Sequence, residues 1–249
     1  YQIYSGDKAK VTVNGGNFEA WDCANGFDLC TANDGVIEIY GGYFAEDPTN
    51  QNGKNYAATG YISIEINSTL YTVMKGSVDN GVNTYVIENT FDWDTFSTIV
   101  TKGHTFSGEI VKLTEDADFT GQTVNPVGFT GGTPKVFEGT FDGNGKTIKN
   151  INQQNLSGSY NQPVGLFSKV NNATFKNINL ESFSMATYGS EAGGIATWAT
   201  GDCTFENITV KNGSVVAYNC ETGSVLGWAD SGNFTFKDIT IAEDVTIHS

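Results

Sequence analysis

The sequence predicts an all-β fold: a right-handed parallel β-helix, closed at its start by a short capping helix and preceded by the terminal coils of a second β-solenoid. Three observations predict it. Nearly the same strand is written three times about thirty residues apart, as "ATFKNINLESF" (173–183), "CTFENITVKNG" (203–213) and "FTFKDITIAED" (234–244). A shorter pair, "VTVNGGNF" (11–18) and "IEIYGGYF" (37–44), recurs 26 residues on. Thirty glycines against four prolines suit many tight turns. A unit so short cannot bury its apolar face alone. Stacked on copies of itself it can, because equivalent strands pair in parallel about 4.8 Å apart.

The elements follow in order. Residues 1–75 read as terminal coils and a closing segment, the latter running through "AEDPTNQNGKNYAATGYISIEINSTLYTV" (45–73). Residues 76–105 read as a linker and a capping helix. The Gly/Asn-rich text "KGSVDNGVNTY" (75–85) supplies the linker and places a domain boundary near 75–85. In "NTFDWDTFSTIVTKG" (89–103), Asp92 and Asp94 favour a helix start, and Trp93, Phe96, Ile99 and Val100 share one face. Gly103 ends it. Such a helix would cover an open first coil, whose bare edge otherwise invites pairing.

Residues 106–249 carry the repeats. The laps align Ile148, Phe175, Phe205 and Phe236 in one column and Ile151, Ile178, Ile208 and Ile239 in another. The first column predicts an interior aromatic ladder of Phe175, Phe205 and Phe236. Between the columns stand Asn150, Asn177, Asn207 and Asp238, types that accept a left-handed turn conformation. A third patch recurs as "VGLFSKV" (164–170), "GGIATWA" (193–199) and "GSVLGWA" (223–229). It aligns Lys169, Trp198 and Trp228. A lysine in that column argues that the column faces outward. Tyr188 and Tyr218 are also thirty apart. Together the four rings, Trp198, Trp228, Tyr188 and Tyr218, are the expected ligand-binding residues, an aromatic strip suited to sugar rings or a partner surface.

Charge narrows the partners. The formal net charge is −15, and all thirteen basic residues are lysines. A chain without a basic footprint is unsuited to nucleic acid or to an anionic membrane surface. No run of 18 apolar residues occurs, so no membrane insertion by a helix is expected. A neutral glycan, a protein surface or a cation suits it better. Both ends read as interrupted strand text, as in a piece of a longer protein.

Catalytic chemistry has little to stand on. The carboxylate pairs Asp116/Asp118, Asp92/Asp94 and Glu138/Asp142 have the spacing a hydrolase could use. Each also has a plainer reading, at a helix start or in a turn such as "DGNG" (142–145). His104 and His248 stand far apart, and His104 reads as a solvated loop residue. No catalytic residue and no fixed metal site are expected. Ca²⁺ held by turn carboxylates is an option, although "FDGNGKT" (141–147) lacks the distal glutamate of an EF-hand. Cys23 and Cys30 are close enough for a loop disulfide in an oxidising compartment, with free thiols as the alternative. Cys203 aligns with Ala173 and Phe234 and reads as a small core residue.

The stretch "VKLTEDADFTG…VNPVGF…FEGTFDGNGKTIKNIN…VGLFSKVNNATFKNINLES" resembles the GLUG-like right-handed β-helix repeats of gut-bacterial surface and secreted proteins, over about 106–249. "GTFDGNGKTI" and "GLF" carry most of the resemblance, and the "GLF" frame decays to "GIA" and "VLG" in later laps. Similar modules occur in phage tail fibres. The resemblance implies a non-enzymatic adhesin or stalk, extracellular or on a bacterial cell surface, that displays a rigid surface to a glycan or protein. It transfers no catalytic residue. The alternatives are a phage tail-fibre or receptor-binding segment, trimeric on that reading, and a polysaccharide-degrading β-helix enzyme.

Overall fold

A computed structural model describes residues 3–18, 29–51, 53–156 and 162–249. It is a parallel β-solenoid fold of about eight turns, 56% strand, with one short helix. The chain forms two compact units, Tyr1–Tyr85 and Val86–Ser249.

In the first unit two coils stack in parallel. Ile3–Ser5, Lys10–Val13 and Asn17–Phe18 pair with Leu29–Thr31, Val36–Ile39 and Tyr43–Phe44. Val11 meets Ile37, Val13 meets Ile39 and Phe18 meets Phe44, so the 26-residue repeat is a one-lap translation. Alternation puts Val13, Ile37, Ile39 and Phe44 inside, joined by Leu29, Tyr56 and Val73. The closing segment leaves the solenoid pattern and folds as antiparallel strands, Tyr61–Asn67 on Leu70–Asp79. Residues 75–85, read from sequence as a linker, are instead mostly hairpin. Leu70–Asp79 pairs antiparallel with the strand Val82–Ile87, Gly76 opposite Tyr85. The cause is local. Asn80 and Gly81 both take positive φ, 50° and 81°, the primed turn that matches strand twist.

The second unit starts with the helix Thr90–Thr101. Its N-cap is Asn89, whose side chain accepts from the N–H groups of Phe91 and Asp92. Asp92 therefore sits in the first turn rather than at the cap, and its carboxylate accepts from Glu88 N–H at 2.9 Å. The face Trp93, Phe96, Ile99 and Val100 is wholly buried. Trp93 lies 5.6 Å from both Phe119 and Phe141 and 6.2 Å from Phe167, edge-on in each case. Phe96 adds Phe106 at 5.2 Å and Phe137 at 5.7 Å. The helix thus fills the mouth of the coil stack with rings contributed by successive laps.

Beyond it the laps pair in register. Phe141, Phe175, Phe205 and Phe236 form one column. The last three rings stack at 5.3 and 5.1 Å, nearly parallel. Ile178, Ile208 and Ile239 form the next column, and Ala117, Ile148, Leu180, Val210 and Ile241 another. The sequence alignment of the first lap needs correcting here. Ile148 faces Leu180, not Phe175, and the true lap-mate of Phe175 is Phe141. "KTIKNIN" resembles "ATFKNIN" locally, but it lies past the corner that "DGNG" makes.

The corners are built from left-handed residues. Asn177, Asn207 and Asp238 take φ of 56°, 51° and 53°. Asn207 donates to the Asn177 carboxamide at 2.8 Å, and Asn177 donates to Asp142 at 2.9 Å. A neighbouring corner repeats the conformation at Asn150, Ser182 and Asn212, with φ of 62°, 54° and 52°. Asparagine tolerates this conformation, and its amide carries a hydrogen bond from one lap to the next.

Candidate functional site

The aromatic columns stand where the lap alignment puts them, but they do not merge into one strip. Trp198 is opposite Trp228 in the sheet that contains Val164–Asn171, Ala192–Thr200 and Leu226–Ser231. Tyr188 is opposite Tyr218 in the other large sheet, on the strands Thr174–Tyr188 and Cys203–Tyr218. The tryptophans stack at 5.0 Å with an interplanar angle of 16°. The Lys169 ammonium lies 4.3 Å from the Trp198 ring centre. Because Lys169 and Trp228 belong to the laps on either side, both faces of Trp198 are covered. Trp228 is 37% exposed, and its outer face is the open one. Tyr188 and Tyr218 are exposed as well, at 37% and 43%.

Beside Trp198 lies a cleft of about 210 Å³, lined among others by Pro134, Ser168, Ser190, Glu191, Thr197 and Trp198. The Ser168 hydroxyl donates to the Val127 carbonyl at 2.9 Å, and that of Thr197 donates to the Ser168 carbonyl. Ser190 donates to the Glu191 carboxylate at 3.3 Å. These hydroxyl oxygens keep lone pairs free, and Glu191 adds carboxylate oxygens. The Trp198 indole N–H is buried and has no hydrogen-bond partner among the described residues. The cleft is therefore lined by hydroxyl groups, one carboxylate and an aromatic side chain, a set that suits a ligand rich in hydroxyl groups.

At the corner next to this cleft, donor atoms of Glu191, Cys220 and Glu221 lie within 4.8 Å of one another. Burial, and a hydrogen bond from its Sγ to Glu221 at 3.1 Å, push the Cys220 thiol up to about 11. It is protonated at neutral pH and serves as a donor, not as a thiolate. Cys203 is buried as expected, donates to the Thr200 carbonyl at 3.2 Å, and is also raised by burial. Cys30 is a free thiol; the pairing with Cys23 falls outside the described residues.

Five of the six carboxylates with hydrolase spacing have structural partners. Asp116 accepts from Thr147 N–H at 2.9 Å, and Glu138 from Asn171 at 2.8 Å. Asp142 accepts from Asn144 N–H and from Asn177. Asp118 accepts from the Asn150 amide and from both the hydroxyl and N–H of Thr120, which hold it down to about 2. Asp94 alone is shifted the other way, raised by burial. His104 is not a solvated loop residue. Its Nε2 meets the Glu109 carboxylate at 2.6 Å, and its ring stands edge-on to Phe106 at 4.5 Å. These two contacts hold the ring partly buried, and neither was visible in the local text.

No protein family, curated protein or solved structure matches this chain. No helix among the described residues is long and apolar enough to cross a membrane.

Proposed function

We propose that this protein is a non-enzymatic extracellular binding module that presents a neutral, hydroxyl-rich glycan to the cleft beside Trp198. The observation that carries the reading is the grouping of Ser190, Glu191 and Trp198 around one cleft, with the exposed Trp228 stacked on Trp198. A sugar hydroxyl both donates and accepts, so one ring can serve Glu191 and Ser190 together. The open face of Trp228 gives a stacking surface nearby. A net charge of −15 argues against anionic polysaccharides. The resemblance of residues 106–249 to GLUG-like repeats supports a place on a bacterial surface or in its secretions. The ladder architecture suits rigid display, since each lap is fixed by register to its neighbours. The engaged carboxylates favour a binding role over hydrolysis.

A glycan array comparing the protein with Glu191→Gln and Trp228→Ala tests this. Binding of neutral glycans, weakened about tenfold or more in either variant, is the expected result. An array without signal, or one unchanged by both substitutions, moves the function away from this cleft.

A further inference from the structure

The regularity of the laps creates an ambiguity in their pairing. Three columns are the same from lap to lap: Phe141, Phe175, Phe205 and Phe236; Ile178, Ile208 and Ile239; Thr140, Thr174, Thr204 and Thr235. A strand that passed over its neighbour and paired with the lap beyond would still set Phe on Phe, Ile on Ile and Thr on Thr. Chain connectivity discriminates weakly, since doubling the length of a connection disfavours its closure only about threefold. Strands of near-identical text are for the same reason prone to pair wrongly within a chain and between chains.

Two outward columns do change from lap to lap. One runs Lys112, Asp142, Lys176, Glu206, Lys237, each residue opposite the next. The other runs Asp118, Lys149, Glu181, Lys211. The sign reverses at every step. Correct pairing is therefore attractive: Lys149 lies 3.7 Å from Asp118, Lys176 3.7 Å from Asp142 and Lys211 3.3 Å from Glu181, and Lys237 meets Glu206. Skipping one lap would set Lys112 on Lys176, Asp142 on Glu206, Lys176 on Lys237, Asp118 on Glu181 and Lys149 on Lys211. Each of those is like on like, which is destabilising across a strand pair. Most of these side chains are a third or more exposed, so each pair by itself adds little to stability. The contrast between pairings counts each charge twice, as an attraction gained and as a repulsion avoided.

We propose that the two charge columns are a register lock, a device that makes each lap pair with the next one in sequence and rejects the one after. The charge period is two laps while the structural period is one, so a one-lap error meets its own sign in both columns. The same rule rejects pairing between identical laps of two copies, where every charge would face itself. The apolar columns supply the affinity of lap for lap, and the charges supply the order. The lock is separate from the cleft beside Trp198 and does not depend on it.

The test reads register from the Trp198–Trp228 stack, whose rings lie 5.0 Å apart and couple in circular dichroism. When the lap between them is skipped, Trp228 comes to lie on Lys169 and the couplet is lost. The variant Lys149→Gln/Lys176→Gln/Glu181→Gln/Glu206→Gln/Lys211→Gln/Lys237→Gln removes the sign information and keeps polar side chains. Purified without unfolding, it should show the wild-type couplet and a melting temperature close to the wild type. After dilution from urea, its yield of soluble monomer carrying the full couplet should fall about two- to fivefold below that of the wild type. Wild type refolded in about 1 M NaCl, which screens the columns, should move the same way. The proposal is overturned if the variant refolds as completely as the wild type. It is also overturned if the couplet is already reduced before unfolding and refolding reduces it no further, because the ion pairs would then only brace the finished fold.

Discussion

Two places along the aromatic column of the second unit have different surroundings. At its start the helix Thr90–Thr101 drives Trp93 and Phe96 into the coil stack, and every ring they touch is buried. On the strand Phe234–Ile241 the same column is half exposed, with Phe236 at 50%. The residue type and the lap position are equivalent; only the covering differs. In a solenoid the value of a core residue is set by having a neighbour on both sides, because each lap contacts only the next.

The largest test of that comparison exchanges a ring at each place for alanine. Phe96→Ala should cost about 3–5 kcal/mol, since it empties a closed aromatic cluster. Phe236→Ala should cost about 1 kcal/mol or less, because half of the ring already faces solvent. Urea unfolding of both variants measures the difference; equal costs would mean that the two rings are equally covered in solution.

A smaller effect is expected along the corners that join the strands. Asn177→Ala removes the bonds to Asp142 and Asn207 and leaves a β-carbon in the left-handed region at φ 56°. A loss of about 1–3 kcal/mol is expected, with Asn177→Gly losing less. If glycine is no better than alanine at this site, the hydrogen bonds matter and the conformation does not.

The smallest effect is electrostatic. Asp118, near the start, is held down to about 2 from an ordinary 3.8 by Asn150 and Thr120. A carboxylate depressed in the folded state contributes stability above its unfolded pKa and loses it as pH falls through the folded one. The wild type should therefore lose stability between about pH 4 and pH 2 more steeply than Asp118→Asn, as read from melting temperatures across that window. Parallel pH profiles would remove Asp118 from the account.

Some of this was legible in the text. The lap strands, the helix face and the left-handed asparagines each follow from local chemistry, so spacing and residue type were enough. The hairpin at Asn80–Gly81 was legible as well, because that dipeptide is a hairpin signal in its own right. It was read instead as part of a Gly/Asn-rich linker. His104 was not legible, because its partial burial depends on contacts with Glu109 and Phe106.

The candidate site shows the same division. The sequence by itself determined that Lys169, Trp198 and Trp228 share a column, since equal lap spacing places equivalent residues in line. Only the tertiary structure decided that Trp198 is covered on both faces, that the tyrosines belong to another sheet, and that Ser190 and Glu191 stand beside the tryptophan. The physical reason is that a repeat fixes translation along the stack. What meets across the stack depends on how each corner turns, and corner residues of similar chemistry turn the chain through bends that spacing does not encode.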